Sequence, residues 1–309
     1  DIGSKETKEK AEDFFSNSRS ILPKYDQGIF FKNKKVYKFF TNKKIVLKRY
    51  QRTKILKPFI PNLIKKTRFF YVYSYQNGNV FSKIKNKKEE FPNLLHWLTN
   101  FFWKKQKLNN LKELSFQQKC NSFYYEKSLS RINFLFEKNN LNDQIEIINN
   151  SKTLKISSMF ERINWKDINN GIPVNFHGDL HFENIIKNKE KIILLDWRED
   201  FSGISKYGDI YYDLAKINHG LIIDHNIIKS SKYSVKIDKK NIKINYKQSK
   251  ENKDCQKYFF KFLKKNKYSV KKVKILTSLI FLNIASLHHY PYSIFLYYLG
   301  KYMLTKSLK

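Results

Sequence analysis

NFHGDLHFENIIKNKEKIILLDW, residues 175–197, joins a polar loop to an apolar strand in one short segment. The loop HGDLHFEN carries Asp179 and Asn184, and the strand IILL leads directly to Asp196. A helix cap with a capping box uses one or two polar side chains, so capping alone does not explain this density. The segment therefore predicts a site in which several polar groups act together.

One interpretation of the loop is a metal centre for hydrolysis. His177 and His181 are four positions apart with Asp179 between them, and G-D-x-H is also a motif of binuclear metallophosphatases. Those enzymes need further ligands, typically a second Gly-Asp block and a Gly-Asn-His block. Gly208-Asp209 matches the second Gly-Asp block, but the sequence contains no Gly-Asn-His block. The pattern therefore disfavours a metallohydrolase.

A second interpretation is phosphoryl transfer. Such a site needs a carboxylate that orients the attacking hydroxyl, oxygen ligands for Mg²⁺ and a cation for the donor phosphates. Asp179 suits the first role, while the Asn184 amide and the Asp196 carboxylate are oxygen ligands from two different segments. Protein-kinase catalytic loops share the spacing H-x-D-x4-N. Because several roles meet at fixed spacings, the sequence favours this chemistry.

Three motifs carry a resemblance to a known family. HGDLHFENII, LLDWREDF and YGDIYYDLAKI resemble the aminoglycoside phosphotransferase and choline kinase family, a branch of the protein-kinase-like fold. The match is close over residues 176–217, and the rest of the chain agrees in outline. The D-F-G and A-P-E blocks of protein kinases are absent, which favours a small-molecule substrate over a peptide.

The resemblance implies a role for each matching residue. Asp179 would be the catalytic base or hydroxyl-orienting residue, and Asn184 and Asp196 would hold Mg²⁺. His177 would keep the loop in shape through hydrogen bonds within it, and Asp213 would brace the loop through its backbone. The expected cofactors are ATP and Mg²⁺.

The donor-binding lysine is expected on an inner strand of the N-terminal region. VYKFF makes Lys38 the candidate, and Lys48 is its rival if the segment IVLKRY is a strand and not a helix. The family pairs such a lysine with a helix glutamate, but no acidic residue occurs between Asp26 and Glu89. The glycine-rich loop is likewise reduced to Gly28. These departures leave open a degenerate, non-catalytic relative.

The periodicity of the chain indicates a small strand-rich lobe followed by a larger helical lobe, and the resemblance implies that this α+β, two-lobed chain has a protein-kinase-like fold. Residues 1–80 would form a small β-rich nucleotide-binding lobe, and residues 81–309 a larger, mainly helical lobe for catalysis and substrate binding. Strands are indicated by alternating or β-branched and aromatic runs, and helices by apolar residues at i, i+3 and i+4. Strands are expected within 29–40, 69–75 and 233–246, and helices over 43–57, 91–105, 115–138, 208–221 and from about 252.

The chain is strongly basic, with a formal net charge of +34 over 309 residues. The excess is mainly lysine and accompanies abundant Asn, Ile, Phe and Tyr, a pattern typical of A/T-rich coding. No ordered Arg/aromatic recognition module is visible, so no nucleic-acid partner is expected. Anionic membrane surfaces and anionic substrates stay open as partners of this charge.

Cysteine usage and hydropathy indicate the cellular compartment in which the protein is expected. Cys120 and Cys255 are far apart and neither belongs to a C-x-x-C pair, which fits a reducing compartment. No apolar run reaches the length of a transmembrane helix, so a cytoplasmic location is expected. Because the first residue is Asp1 and not Met, the sequence leaves open whether the chain belongs to a longer protein.

The sequence thus predicts a small-molecule kinase that transfers phosphate from ATP to an alcohol group. The resemblance implies three acceptor classes, namely amino-alcohols such as choline, sugars of cell-envelope or polysaccharide synthesis, and aminoglycosides. Cationic acceptors need acidic or aromatic pockets, and acidic residues are scarce here, which favours a neutral or anionic sugar-type acceptor. The alternative function is a non-catalytic, kinase-like protein that binds nucleotides or polyanions.

Overall fold

The computed structural model of the chain describes residues 27–189, 191–224, 227–228, 230 and 232–309. Residues 1–26, which the predicted N-terminal lobe includes, lie outside the described residues. Within the described ranges the predicted fold class is confirmed. A small β-rich N-terminal lobe precedes a larger lobe that is mainly helical, so the chain is α+β and two-lobed.

The N-terminal lobe is built on a four-stranded antiparallel sheet in the order β1-β2-β4-β3. Asn33 and Lys34 connect the first two strands with φ angles of 48° and 54°, the left-handed conformation that tight hairpin turns require. The register places Lys38 on the inner strand β2, between Ile29 and Tyr71. The strands are β1 (Gln27–Lys32), β2 (Lys35–Phe40), β3 (Leu63–Lys66) and β4 (Phe70–Ser74).

One helix, α1 (Lys43–Leu56), crosses between β2 and β3. The Asn42 side chain caps its start by accepting from the main-chain N–H of Lys44 at 2.9 Å, and the helix ends shortly before Pro58, as predicted. Its buried side carries Arg49 and Arg52 among apolar residues. The predicted helix is therefore confirmed, but an arginine pair on its inner face was not foreseen.

The C-terminal lobe holds three small sheets beside the helices. A three-stranded sheet in the order β10-β9-β5 takes one strand, β5, from the predicted end of the N-terminal lobe. The two-stranded pair β8–β11 and the sheet β12-β13-β6-β7 complete the set. Their bounds are β5 (Asn79–Val80), β6 (Glu146–Ile148), β7 (Ser151–Thr153), β8 (Pro173–Val174), β9 (Ile185–Asn188), β10 (Lys191–Leu194), β11 (Gly208–Asp209), β12 (Tyr233–Asp238) and β13 (Asn241–Tyr246).

Helices form most of the C-terminal lobe. Helix α9 (Val270–Ala285) packs against both α10 (Tyr292–Leu308) and α7 (Ile210–Ile222). The predicted helices over 91–105 and 115–138 both begin earlier, and each contains a π-helical turn, Leu98–Phe102 and Ser122–Glu126. The helices are α2 (Lys87–Trp97), α3 (Asn110–Asn121), α4 (Lys127–Asn139), α5 (Ile156–Glu161), α6 (Trp165–Asn169), α7 (Ile210–Ile222), α8 (Lys250–Lys265), α9 (Val270–Ala285) and α10 (Tyr292–Leu308). In the part of the chain that is described, no helix combines the length and apolarity needed to span a bilayer.

Trp197 joins the two lobes. Its ring stacks on Tyr71 of β4, with centroids 5.8 Å apart and planes inclined by 19°. Its Nε1 donates to the main-chain oxygen of Arg49 at 2.9 Å, and its side chain is almost completely buried. Nearby, the N–H of Leu194 donates to the carbonyl of Phe59. The end of β10 is therefore fixed against the N-terminal lobe, directly beside Asp196.

Candidate active site

The polar loop, residues 177–184, is held by one buried carboxylate. Asp213 of α7 accepts from the main-chain N–H groups of His177 at 2.8 Å and Gly178 at 2.7 Å. It also accepts from Nε1 of Trp103 at 3.1 Å. Gly178 has a φ of +85°, and a Cβ there would lie 2.5 Å from the Cβ of Arg198. The backbone at the start of the loop therefore has a conformation at Gly178 that only glycine adopts without strain.

Burial sets the protonation of both groups that support the loop. Burial raises the pKa of Asp213 to about 6, opposed by the donors of His177, Gly178 and Trp103. Burial lowers the pKa of His177 to about 3, so its ring is neutral at physiological pH. Its Nδ1 then accepts from the main-chain N–H of Asp179 at 3.2 Å. Both side chains lie where the sequence analysis expected support for the loop.

Asp179 lies at the centre of the loop and contacts side chains from two directions. Lys216 of α7 donates to its Oδ1 at 2.8 Å. Nδ2 of Asn184 donates to its main-chain oxygen at 2.8 Å, and Nε2 of His181 is 3.6 Å from its Oδ2. Burial lowers the pKa of Lys216 while Asp179 raises it, and the net shift is upward. Asp179 therefore faces a charged, ion-paired lysine inside the lobe.

Lys216 was missed by the sequence analysis, although a signal for it exists. In YYDLAKI it follows Asp213 by three positions, which places both on one face of α7. A helix that braces the loop with its aspartate therefore also directs its lysine toward the same loop. His181, on the other side of Asp179, pairs with Glu183 at 3.1 Å. Burial lowers the pKa of His181, but Asp179 and Glu183 raise it by more. The net result is a pKa of about 9, above the ordinary value of histidine.

The hairpin β9–β10 brings Asn184 and Asp196 to the same end of their sheet. The N–H of Leu195 donates to the Asn184 carbonyl at 2.7 Å, which extends the ladder by one step beyond the strands. Asp196 follows with a φ of 56°, a left-handed conformation that is rare for residues with a side chain and is concentrated at functional sites. Its carboxylate is thereby directed toward the N-terminal lobe.

The oxygen donors at this end fit Mg²⁺. A carboxylate and an amide oxygen are ligands of the hard type that this ion prefers. Nδ2 of Asn184 is occupied by the main-chain oxygen of Asp179, and no donor in the described residues bonds to its Oδ1. Asn184 therefore has an amide oxygen available for a cation, next to Asp196. The described ranges contain no cluster of three or more His, Cys, Asp or Glu side chains that could hold a metal by themselves.

Two cations of the N-terminal lobe meet the Asp196 carboxylate. Lys38, with 1% of its surface exposed, and Arg49 of α1 both bond to its Oδ1. Arg49 also lies 3.7 Å from Glu199 and packs over the Phe40 ring. Burial lowers the pKa of Arg49 and Asp196 raises it, with a net upward shift. The helix thus faces the site with an arginine that pairs with Asp196.

Lys48, the alternative to Lys38, lies elsewhere. Because residues 43–56 form a helix and not a strand, the side chain of Lys48 is 45% exposed. It pairs with Asp200 at 2.6 Å. The condition that favoured Lys48 is therefore not met.

Arg52 connects α1 to the polar loop. Its buried guanidinium donates to the main-chain oxygens of Phe176, Arg198 and, at 3.0 Å, Ser205. It also packs over the ring of Phe176, 4.4 Å from the ring centre. One side chain of the N-terminal lobe thereby bonds to the residue before His177 and to two residues that follow Asp196 in the chain.

No protein-family model matches the chain, and neither does any curated protein sequence. Among solved structures, the chain is similar to the streptomycin–ATP ternary complex of APH(2'')-IIa, with 14% identity, 98% of this chain and 96% of that chain covered, and a TM-score of 0.46. ADP-bound aminoglycoside phosphotransferase APH(2'')-Ib gives 14% identity, coverage of 99% and 97%, and a TM-score of 0.46. The ethanolamine kinase of Plasmodium vivax gives 14% identity, coverage of 99% and 89%, and a TM-score of 0.47.

Proposed function

We propose that this protein is a kinase that transfers the γ-phosphoryl group of ATP to a hydroxyl of a small molecule. One observation carries the proposal: Asp179, Asn184 and Asp196, together with Lys38 from the other lobe, are joined by direct or one-residue contacts at the cleft between the lobes. These are the groups that phosphoryl transfer requires, namely a carboxylate for the acceptor, oxygens for a metal and a cation for the phosphates.

Asp179 orients the acceptor hydroxyl and takes its proton. Lys216 bonds to Oδ1, and Nδ2 of Asn184 and Nε2 of His181 lie 3.4 Å and 3.6 Å from Oδ2, so side chains hold the carboxylate at both oxygens. Asp213 and His177 hold the backbone on which Asp179 sits. Catalysis of this kind depends on positioning and on charge stabilisation more than on covalent chemistry.

The donor end consists of Lys38, Arg49, Asn184 and Asp196. Mg²⁺ held by Oδ1 of Asn184 and the Asp196 carboxylate would neutralise charge on the donor phosphates. Lys38 and Arg49, which share Oδ1 of Asp196, add two further positive charges from the N-terminal lobe. A cytoplasmic location, where ATP is present, goes with this proposal.

The test is turnover of ATP across a panel of hydroxyl compounds that includes choline, ethanolamine, hexoses and aminoglycosides. Asp179→Asn and Asp196→Asn are each expected to lower turnover by about a thousandfold, because each removes a group needed in the transition state. Asp238→Asn, on the exposed turn of β12, is the matched control and should retain wild-type turnover. Full turnover by Asp179→Asn, with circular dichroism unchanged, would rule the proposal out.

The alternative is a non-catalytic protein that binds nucleotides. Arg49 favours it, because a second cation on Asp196 already occupies the carboxylate that the metal needs. This alternative predicts that calorimetry detects ATP binding of equal strength with and without Mg²⁺. The kinase predicts tighter binding in the presence of Mg²⁺ and loss of that difference in Asp196→Asn.

A further inference from the structure

A cluster of positive charge adjoins Asp179 through Lys216. We call it the basic pocket: Lys127, Arg198 and Lys216 around the rings of Phe123 and Tyr212. Nζ of Lys127 is 4.2 Å from the centre of the Phe123 ring and 5.9 Å from that of Tyr212. The guanidinium of Arg198 is 5.0 Å from the same Phe123 ring. Two cations therefore share one aromatic side chain.

The basic pocket is continuous with the polar loop. Arg198 packs its Cβ against Gly178, the neighbour of Asp179, and its main-chain N–H donates to the His177 carbonyl at 2.9 Å. On the opposite side, Lys216 bonds to Asp179, and Tyr212 lies one helical turn before Lys216 on α7. A molecule with a hydroxyl at Asp179 would therefore extend toward Lys127 and Arg198.

The carboxylates around the basic pocket do not balance its charge. Lys216 is paired with Asp179, and Arg198 lies 3.8 Å from Glu199. In the described ranges Lys127 has no carboxylate within ion-pair distance, and the buried Nε of Arg198 has no hydrogen-bond partner. Burial, then the charges of Arg198, Arg131 and Lys216, lower the pKa of Lys127 well below its ordinary value.

Packing alone does not account for this arrangement. A cation over an aromatic ring gains about 0.5 to 2 kcal/mol, and the partial burial of Lys127 without a carboxylate partner opposes this gain. A second cation on the same ring adds repulsion. An anionic ligand group between Lys127 and Arg198 would provide the missing charge and accept from Nε of Arg198.

We propose that the basic pocket binds an anionic group of the phosphoryl acceptor, so that the substrate is a hydroxyl compound bearing a carboxylate or phosphate. This inference rests on the proposed function. The acceptor hydroxyl oxygen forms a bond to the γ-phosphorus of ATP and the bond from that phosphorus to the β–γ bridging oxygen breaks. The hydroxyl proton passes to Asp179 and ADP leaves.

The test uses two sets of acceptors in which one terminal hydroxyl of a neutral compound is replaced by a carboxylate or a phosphate, namely glucose, glucuronate and glucose 6-phosphate, and glycerol, glycerate and glycerol 3-phosphate. ADP release gives kcat/KM for each with the full chain, and calorimetry in the presence of Mg²⁺ and ADP gives binding without turnover. Comparison of the carboxylate and phosphate members identifies which anion is preferred.

Three variants assign the effect to the pocket. Lys127→Gln is expected to reduce the charged-to-neutral ratio of kcat/KM by about tenfold to a hundredfold, the value of one charge-assisted hydrogen bond. Lys127→Arg retains the charge and should retain most of the ratio. Lys257→Gln, a fully analogous change at an exposed lysine of α8, is the matched control and should leave the ratio unchanged.

Each outcome decides the inference separately from the proposed function. Preference for charged acceptors that depends on Lys127 supports it. Turnover with a preference for neutral or cationic acceptors, or a ratio that Lys127→Gln leaves unchanged, overturns it while the kinase assignment stands. Binding of a charged compound through Lys127 without any turnover supports the anion site and contradicts the kinase. Absence of binding by every charged compound overturns the inference.

Discussion

Arg49 and Lys38 bond to the same oxygen, Oδ1 of Asp196. A carboxylate between two buried cations is held firmly, but its single negative charge faces two positive charges. A donor that brings phosphate charge into the cleft would redistribute these contacts, since phosphate oxygens suit a guanidinium fork as well as a carboxylate does. We therefore expect Arg49 to contact the donor phosphates when ATP is bound.

Arg49→Met is expected to raise the KM for ATP by about tenfold to a hundredfold, because one charge-assisted contact to the donor phosphates is lost. Steady-state kinetics at a saturating acceptor concentration measure the change. Arg68→Met, at an exposed position of the same lobe, is the control and should match the wild type. An unchanged KM for ATP in Arg49→Met would limit Arg49 to a structural role.

Lys216→Met is expected to lower kcat by about tenfold to a hundredfold and to change the KM for ATP little, because Lys216 contacts Asp179 and not the donor end. Lys216→Arg should recover part of the loss. Lys253→Met, on the exposed side of α8, serves as the control. A rise in the KM for ATP with normal kcat would contradict a positioning role at Asp179.

The pH profile is expected to report Asp213. Its pKa is raised to about 6, above the value of about 3.9 for an unfolded chain, so the folded protein binds this proton more tightly. As pH falls from about 6 to about 4, this group therefore adds to the free energy of unfolding. Protonation at the same time removes acceptor capacity from the N–H groups of His177 and Gly178.

We therefore expect log kcat to decline as pH falls through about 6. Asp213→Asn should have low kcat at every pH and should lack the inflection near pH 6, because no titrating group is left at that position. The measurement is a rate profile from about pH 5 to about pH 8, with circular dichroism at each end. The same inflection in the wild type and in Asp213→Asn would assign it to another group.

A buried ion pair far from the cleft is expected to control stability. Lys301 of α10 donates to Glu146 of β6 at 2.6 Å, and both side chains are almost fully buried. Lys301→Met leaves the Glu146 charge without its partner and should lower the free energy of unfolding by about 3 to 5 kcal/mol. Urea denaturation measures this loss.

The double variant Glu146→Gln/Lys301→Met should recover most of that stability, since no charge is left buried. Lys306→Met, at an exposed position of the same helix, is the control and should change the free energy of unfolding by about 0.5 kcal/mol or less. If the double variant were as unstable as Lys301→Met, loss of packing and not of charge would explain the effect.

Local sequence determined the parts of the site that lie close together in the chain. The spacing from Asp179 to Asn184 and the apolar strand before Asp196 were evident from the sequence, and the structure adds that this strand pairs with Ile185–Asn188 in a hairpin. The choice between Lys38 and Lys48 depended on whether one segment is a helix, and the helix predicted over 43–57 is present as α1.

Contacts between distant segments could not be predicted in the same way. Arg49 meets Asp196 across 147 positions, and which face of α1 turns inward depends on how the two lobes pack. A signal was nevertheless present: in a chain where lysine replaces arginine almost everywhere, Arg49, Arg52 and Arg198 are three of only seven arginines. All three lie in the site, where a planar, forked donor does what lysine cannot.

The bonds of Arg52 have a consequence for how the chain folds. Its guanidinium is the buried donor for the carbonyls of Phe176, Arg198 and Ser205. A fragment of residues 81–309 would lack that donor, and water would have to take its place at the three carbonyls. We therefore expect the segments around Asp196 to be less firmly held in the fragment than in the full chain, because water does not join the three carbonyls through one rigid group.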